Sequence, residues 1–135
     1  IGANSDVEFK EKKDRVDDAI HATKAAVKEG IVPGGGIALL NAANSIKEKT
    51  EGTNIFLEAI KYPYKTILKN AGLEYVPQKG KGKGINVVTG KTVNMIGEGI
   101  IDPLLVTKSA LKNAVSVATT ILSTDCVISN VREEC

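Results

Sequence analysis

The sequence predicts a mainly α-helical fold that also contains a small β-hairpin and a short C-terminal strand. Apolar residues recur at helical spacing in four long segments, which is typical of amphipathic helices. Thr89-Gly90 separates two short segments, Ile85–Val88 and Lys91–Met95, in the manner of a hairpin turn. Only 4% of the residues are aromatic, so Ala, Val, Ile and Leu must form the core of this 135-residue chain.

The first predicted helix is long and spans roughly residues 5–29. Ser5, followed three residues later by Glu8, is a capping-box signature, and Gly30 is a typical C-terminal stop. One face is charged and the other has a narrow apolar stripe. A stripe this thin predicts that the helix packs against something outside this chain. The stripe consists of Phe9, Val16, Ile20, Thr23 and Val27.

Two further helices are predicted before the hairpin. Ile31-Val32-Pro33 and three glycines precede a helix over about 36–48. A third helix, over about 53–71, has a wide apolar face, and Pro63 is expected to kink or split it. Residues 73–84, which end in a Lys-Gly run, are expected to be irregular.

The last helix is predicted over about 103–123. Asp102 at the N-cap and Pro103 at the first helical position make a strong helix start. The segment is apolar on most sides, which predicts that it is buried. After it, Cys126-Val127-Ile128 is typical of a short strand, which would need a partner edge.

Composition and motif searches exclude several classes of function. A net charge of +2 is too small to imply a nucleic-acid partner. No apolar run is long enough to cross a membrane, and no signal peptide is present. The P-loop pattern is absent. One His and two distant Cys do not make a zinc site, so no metal site is predicted.

The two cysteines, Cys126 and Cys135, are expected to be free thiols in a reducing compartment. A disulfide that closes so short a loop would add little stability. The absence of an initiating Met suggests a segment excised from a longer protein. We therefore expect a soluble, intracellular origin.

A few residues are candidates for chemistry, although each also has an ordinary structural explanation. Gly34-Gly35-Gly36 precedes a helix, so its backbone could approach an anion; taken alone, the three glycines favour a plain flexible turn. Asp18 lies on a charged helix face and could be merely solvated, or paired with His21. Capping is a sufficient explanation for Asp102, and Asn86 in the hairpin has no distinctive signal by itself.

Together these candidates lie in longer segments that resemble the group I chaperonins, the family of bacterial GroEL and its mitochondrial and plastid relatives. The similar segments are KKDRVDDAIHATKAAV (12–27), EGIVPGGG (29–36), NM (94–95), GIIDP (99–103) and VTKSAL (106–111). The resemblance implies that residues 1–29 are the C-terminal part of an intermediate domain. It implies that residues 30–135 are the C-terminal part of an equatorial, ATP-binding domain. The N-terminal half and the apical domain would be absent.

The resemblance also implies roles for four residues at a nucleotide site. Asp18 matches the catalytic aspartate that orients the attacking water when the intermediate domain closes over ATP. Gly35, with Gly34 beside it, matches the glycine whose backbone lies against the ribose. Asp102 matches the aspartate that accepts hydrogen bonds from the ribose hydroxyls.

The remaining implied contacts are with the adenine base. Asn86, Val87 and Val88 match hairpin positions that contact adenine, and Ile100 would pack on the base. The family usually has Ala where Val87 stands. In addition, the segment 73–85 is several residues shorter here than in most members of the family.

The function that the resemblance implies is that of an ATP-dependent chaperonin, which assists the folding and refolding of other proteins. Its cofactor would be ATP with Mg²⁺, and the metal ligands would lie outside this fragment. Its partners would be non-native proteins, a co-chaperonin lid and further copies in a homo-oligomeric ring. The bacterial cytoplasm is the expected compartment, and the mitochondrial matrix is the alternative. The fragment alone is expected to have no ATPase activity.

Two other interpretations stay open at this stage. A stand-alone helical protein-interaction module without ATPase activity would use the apolar stripe of the first helix and the strand at 126–128. A basic module that binds phosphate or RNA would use the lysines of 79–83, although a solvated loop also explains that run.

Overall fold

The computed structural model describes residues 1–47, 50–78 and 80–129. These residues form five α-helices and four short strands. In chain order they are α1 (Asp6–Glu29), β1 (Ile31–Pro33), α2 (Ile37–Ser45), α3 (Glu51–Ala59), α4 (Tyr62–Asn70), β2 (Lys83–Asn86), β3 (Lys91–Asn94), β4 (Ile101–Pro103) and α5 (Leu104–Leu122).

Helix α1 begins and ends where its capping residues predict. The Ser5 hydroxyl accepts a hydrogen bond from the Glu8 backbone N–H at 3.3 Å. The Glu8 carboxylate in turn accepts from the Asn4 backbone N–H at 2.9 Å. Gly30 ends the helix with a φ of 86°, a conformation that favours glycine. The apolar stripe of α1 is largely exposed, as expected if its partner lies outside the residues described. Its exposed members are Phe9, Val16, Ile20 and Val27.

The predicted third helix is split into α3 and α4, as Pro63 indicated. The break falls at residues 60–61, and Pro63 is the second residue of α4. Proline has no backbone N–H, but the first-turn N–H groups of a helix have no intrahelical partner, so its presence there costs nothing. The predicted second helix is confirmed as α2, with a later start and an earlier end.

A two-stranded antiparallel sheet joins β1 to β4, and the sequence patterns did not predict it. Ile31 lies opposite Pro103, Val32 opposite Asp102 and Pro33 opposite Ile101. Strands of three residues are too short to show the period-two pattern of apolar residues.

The prediction that Asp102 caps the last helix is wrong. Asp102 is a residue of β4, and Pro103 occupies the N-cap position of α5 with an extended backbone (φ −66°, ψ 129°). Asp102 and Pro103, which the sequence pattern assigned to the start of the helix, therefore belong to the strand that pairs with β1.

The hairpin is confirmed, but its first strand lies two residues earlier than predicted. Strands β2 and β3 pair from Lys83 opposite Asn94 to Asn86 opposite Lys91. The turn begins at Asn86 because its backbone carbonyl accepts from the N–H groups of Thr89 and Gly90 at 3.2 and 2.8 Å. Val87 and Val88 consequently lie in the turn and not in a strand.

The main core cluster lies where α2 and α4 meet the hairpin and the residue that follows it. It consists of the buried residues Ile37, Leu40, Tyr64, Leu68, Ile85 and Met95. A smaller cluster joins α2 to α3 through Ala43, Leu57 and Ile60. Aliphatic side chains provide most of both clusters, as the low aromatic content predicted.

Two predictions about the C-terminal region are wrong. Helix α5 is not buried, since none of its residues falls in the buried class. Residues 126–128 form no strand, and neither sheet of the described residues includes them. Cys126 is exposed, while Cys135 and Lys79 lie outside the described residues. No helix within the described ranges is long and apolar enough to cross a membrane.

Candidate functional site

The glycine turn between β1 and α2 lies directly against the segment that precedes α5. The Gly34 backbone N–H donates to the Ile100 carbonyl oxygen at 2.9 Å. The β1–β4 pairing continues this contact and sets Val32 opposite Asp102. Four predicted site residues that are distant in sequence are thereby brought together: Gly34, Gly35, Ile100 and Asp102.

Each glycine of the turn has its own structural reason. A Cβ atom on Gly34 would lie 3.2 Å from the backbone of Ile100, and one on Gly36 would lie 2.8 Å from the backbone nitrogen of Tyr64. Gly35 has a φ of +65°, and a Cβ there would meet only the flexible end of Met95 at 3.0 Å. The turn is therefore tightly packed on two sides and is not the plain flexible turn that was the alternative interpretation.

Asp102 is half-buried at the end of a groove and has no cation partner among the described residues. Burial raises the pKa of its carboxyl group above the ordinary value. A carboxylate in such a position gains from hydroxyl or N–H donors that approach it. Its chemistry suits the predicted contact with ribose hydroxyls, and it no longer has a capping role to explain it.

The predicted adenine contacts lie at the tip of the hairpin. The Asn86 side-chain oxygen accepts from the Val88 backbone N–H at 3.0 Å, so it stabilises the turn and leaves its amide N–H₂ group for other partners. Val87 is 42% exposed and Val88 90% exposed. Ile100, in contrast, is half-buried against the main core cluster. The hairpin tip thus presents apolar side chains and an amide that could contact a planar base.

Asp18 is exposed on α1 and is not part of this cluster. No ion pair or hydrogen bond joins its carboxylate to His21 or to any other residue that the structure describes. It lies three turns before Glu29, roughly 16 Å along the helix axis at 1.5 Å per residue.

The last turn of α1 is the place where the helix is joined to the rest of the chain. The Lys108 ammonium group of α5 pairs with the Glu29 carboxylate at 2.5 Å. The Leu104 backbone N–H donates to the Gly30 carbonyl oxygen at 3.0 Å. Asp18 therefore lies more than two turns before these contacts on its own helix.

A long apolar groove, of about 680 Å³, runs from the glycine turn along α5. Its walls are Gly35 and Gly36, one face each of α2, α3 and α4, and the facing side of α5. The sequence patterns did not predict this groove, because the apolar residues on most sides of α5 indicated a buried helix. The apolar residues on most sides of α5 could have indicated the groove, because some of them line it and no described residue covers them.

Sequence analysis also assigned no role to two residues that shape the turn. The backbone of Tyr64 leaves no room for a side chain at position 36, and Met95 lies between Gly35 and the hairpin. Tyr64 lies in none of the segments that carry the resemblance, and Met95 lies only in the two-residue segment NM (94–95). Both residues act by packing across elements that are distant in sequence.

The residues present fit the sugar and the base of a nucleotide, but not its phosphates or a metal ion. Gly34, Gly35 and Asp102 offer backbone and a carboxylate, and the hairpin tip offers an amide and apolar side chains. No group of three His, Cys, Asp or Glu side chains that could hold a metal occurs within residues 1–47, 50–78 and 80–129. The arrangement could contact a nucleotide on one side, and the phosphates would need groups other than these.

Comparison with known proteins agrees with this reading of the fold. A family model described as the TCP-1/cpn60 chaperonin family matches residues 1–132. A crystal structure of a group III chaperonin in the open state is similar, with a TM-score of 0.79 and 29% sequence identity. The match covers 95% of this chain and 30% of that chain, so this chain spans less than a third of that chaperonin.

Proposed function

Because the chain belongs to the TCP-1/cpn60 chaperonin family, we propose that it forms one wall of the ATP site in a group I chaperonin subunit. The subunit would assist the folding and refolding of other proteins. The single observation that best supports the proposal is the cluster formed by the glycine turn, Ile100 and Asp102, joined by the Gly34–Ile100 hydrogen bond and the β1–β4 pairing.

Within this proposal, residues 1–29 are the end of the intermediate domain and residues 30–135 belong to the equatorial domain. Gly34 and Gly35 would place backbone against the ribose, and Asp102 would accept hydrogen bonds from its hydroxyls. Asn86, Val87, Val88 and Ile100 would contact the adenine base. The bound ATP and Mg²⁺ would supply the phosphate chemistry, with the metal ligands in the part of the subunit that this chain lacks.

Asp18 would act only when α1 moves, because it lies on an exposed helix face away from the cluster. A carboxylate can accept a hydrogen bond or a proton from a water molecule and so orient it for attack. The connection at Gly30, with its positive φ, and the Glu29–Lys108 ion pair lie where such a movement would pivot. Motion of the helix would thus couple hydrolysis to the conformation of the subunit.

The partners of the intact subunit would be non-native proteins, a co-chaperonin lid and identical subunits in a ring. The exposed apolar stripe of α1 and the open groove along α5 support a chain that packs against other chaperonin segments. The compartment would be the bacterial cytoplasm, with the mitochondrial matrix as the alternative.

The test is ATP hydrolysis by the longer subunit, measured as phosphate release. Asp18→Asn should lower kcat by at least about 100-fold, because the general-base contribution is lost. Asp17→Asn, at the neighbouring exposed position, is the matched control and should leave kcat within about twofold. The 135-residue chain alone should show no turnover. Hydrolysis by the chain alone that Asp18→Ala abolishes would contradict the proposal.

A second candidate function, a stand-alone helical interaction module, is favoured by one observation, the uncovered apolar groove. The two candidates differ in what precedes this segment in its gene. An in-frame upstream sequence that encodes a glycine- and threonine-rich phosphate loop would exclude the stand-alone module.

A further inference from the structure

Met95 is the only methionine of the chain, and its side chain is 2% exposed in the main core cluster. Two glycines make room for it. A Cβ atom on Gly35 would lie 3.0 Å from the Met95 Cε atom, and a Cβ atom on Gly84 would lie 2.9 Å from its Sδ atom. The Ile37 side chain also packs against Gly84, with its Cγ1 atom 2.7 Å from the same Cβ position. The thioether of Met95 therefore lies between the glycine turn and strand β2, with Ile37 beside it.

The backbone of Met95 makes two further connections. Its N–H donates to the Gly82 carbonyl oxygen at 3.0 Å, just before β2. Its carbonyl oxygen accepts from the Ile100 backbone N–H at 2.8 Å, just before β4. A single residue thus contacts the glycine turn, the base of the hairpin and the segment that leads to Asp102.

These three segments contain every predicted nucleotide contact except Asp18. Ribose contacts are assigned to the turn and to Asp102, and adenine contacts to the hairpin tip and to Ile100. The distance between the contacts at the hairpin tip and all the others depends on what fills the space between the turn and the hairpin. A long, flexible side chain can fill the narrow gap between two glycines.

We propose that Met95 is a positioning residue, which sets the spacing between the Gly34–Gly36 turn and the β2–β3 hairpin and thereby the affinity of the site for the adenosine part of ATP. This inference rests on the proposed function of the site. It adds a residue that touches neither the nucleotide nor the reacting atoms, and that acts through the two segments it separates.

The experiment uses the longer subunit and separates KM from kcat. Met95→Ala removes the spacer, so KM for ATP should rise about tenfold, while kcat at saturating ATP should stay within about twofold because Asp18 is unaffected. Met95→Leu nearly preserves the volume and should return KM to within about twofold of the original. If Met95→Ala does not fold, Met95→Val removes less volume and is measured in its place.

Leu57→Ala is the matched control for general loss of packing. Leu57 is 6% exposed and lies in the smaller core cluster, which does not include the hairpin. Leu57→Ala should lower the melting temperature about as much as Met95→Ala does, and it should leave KM for ATP within about twofold of the original value. An equal rise in KM for Leu57→Ala, or an unchanged KM for Met95→Ala, would overturn the positioning role.

The outcomes also separate this inference from the proposed function. If the unmodified subunit neither binds nor hydrolyses ATP, the proposed nucleotide site fails. If it hydrolyses ATP with Asp18 required, and Met95→Ala leaves KM unchanged, the proposed function stands and the inference about Met95 is wrong.

Discussion

The region around the glycine turn and the two long helices α1 and α5 represent opposite ways of using apolar residues. Around the turn, short elements bury Ile37, Leu40 and Tyr64 almost completely. Helix α1 has one buried residue and α5 has none, although both have many apolar side chains. The difference shows that the first region is buried by residues of this chain, while the second leaves apolar surface uncovered by the described residues.

The largest expected difference in stability is between two Leu→Ala substitutions, one in each region. Leu40→Ala should lower the free energy of unfolding by about 4 kcal/mol, because Leu40 is 2% exposed and its loss leaves a cavity. Leu122→Ala, on an α5 residue that is 87% exposed, should change it by less than about 0.5 kcal/mol. Urea unfolding of the 135-residue chain measures both. Equal losses would mean that α5 is packed in solution.

Substituting a glycine of the turn tests how tightly that region is packed. Gly36→Ala should cost about 3 kcal/mol, since its Cβ would lie 2.8 Å from the Tyr64 backbone and its φ is +77°. Gly72→Ala has a similar φ of +70° but no atom within 4 Å, so strain alone should cost about 1 kcal/mol. The measurement is again urea unfolding. A turn that is flexible in solution would remove the difference between the two variants.

The buried hydroxyl of Tyr64 should be a weak point of the core. No described residue forms a hydrogen bond of normal geometry with it, and burial raises its pKa above 10.0, although Gln78 opposes the rise. Tyr64→Phe should therefore leave the stability at pH 7 unchanged or raise it by up to about 1 kcal/mol.

The same variant predicts a difference at alkaline pH. A raised folded-state pKa means that the folded protein keeps its proton longer than the unfolded chain, so stability falls as the pH rises through the unfolded-state value near 10. The Tyr64→Phe variant has no hydroxyl to ionise and should not lose this stability. Its free energy of unfolding relative to the original should therefore rise between pH 9 and 11 by about 1 kcal/mol or less. Tyr62→Phe, at an exposed position, is the control. A constant difference over this range would contradict the assignment.

The smallest expected effect is at Asp102, at the border of the two regions. Burial raises the pKa of Asp102 in the folded state, so the folded protein binds a proton more tightly than the unfolded chain and stability falls as the pH rises through about 3.8. Asp102→Asn should be more stable than the original at pH 7 by less than about 1 kcal/mol, and the gain should vanish near pH 3.

Thermal unfolding across pH 3–7 measures this difference, with Asp17→Asn on the exposed face of α1 as the control. In the longer subunit, Asp102→Asn should also raise KM for ATP, because an amide is a weaker acceptor for ribose hydroxyls than a carboxylate. A gain in stability that persists at pH 3 would show that the group is not shifted by burial.

Local signals predicted those parts of the molecule that depend on residues close in sequence. Ser5 with Glu8, Gly30 and Pro63 placed the ends of α1 and the break between α3 and α4, because capping and the missing proline N–H act within one or two turns. The hairpin at Thr89-Gly90 was also found, with an error of two residues in β2, because the backbone carbonyl and the side chain of Asn86 both accept hydrogen bonds from the turn.

The candidate site was predictable only through the resemblance of long segments. By itself each residue had an ordinary explanation, and the ordinary explanation for Asp102, helix capping, proved wrong once β4 paired with β1. The adjacency of Gly34 and Ile100 follows from a hydrogen bond between residues far apart in sequence, which no local pattern reports.

The sequence by itself determined which segments are helical, where α1 begins and ends, and which family the chain resembles, because these depend on short-range backbone preferences and on the identity of contiguous residues. Only the tertiary structure decided that the turn glycines are packed against β4 and Tyr64 and that Met95 lies between the turn and the hairpin. It also decided that no described segment covers α5. Apolar periodicity shows that a helix has a face to bury. Whether this chain contains the surface that buries it depends on long-range packing.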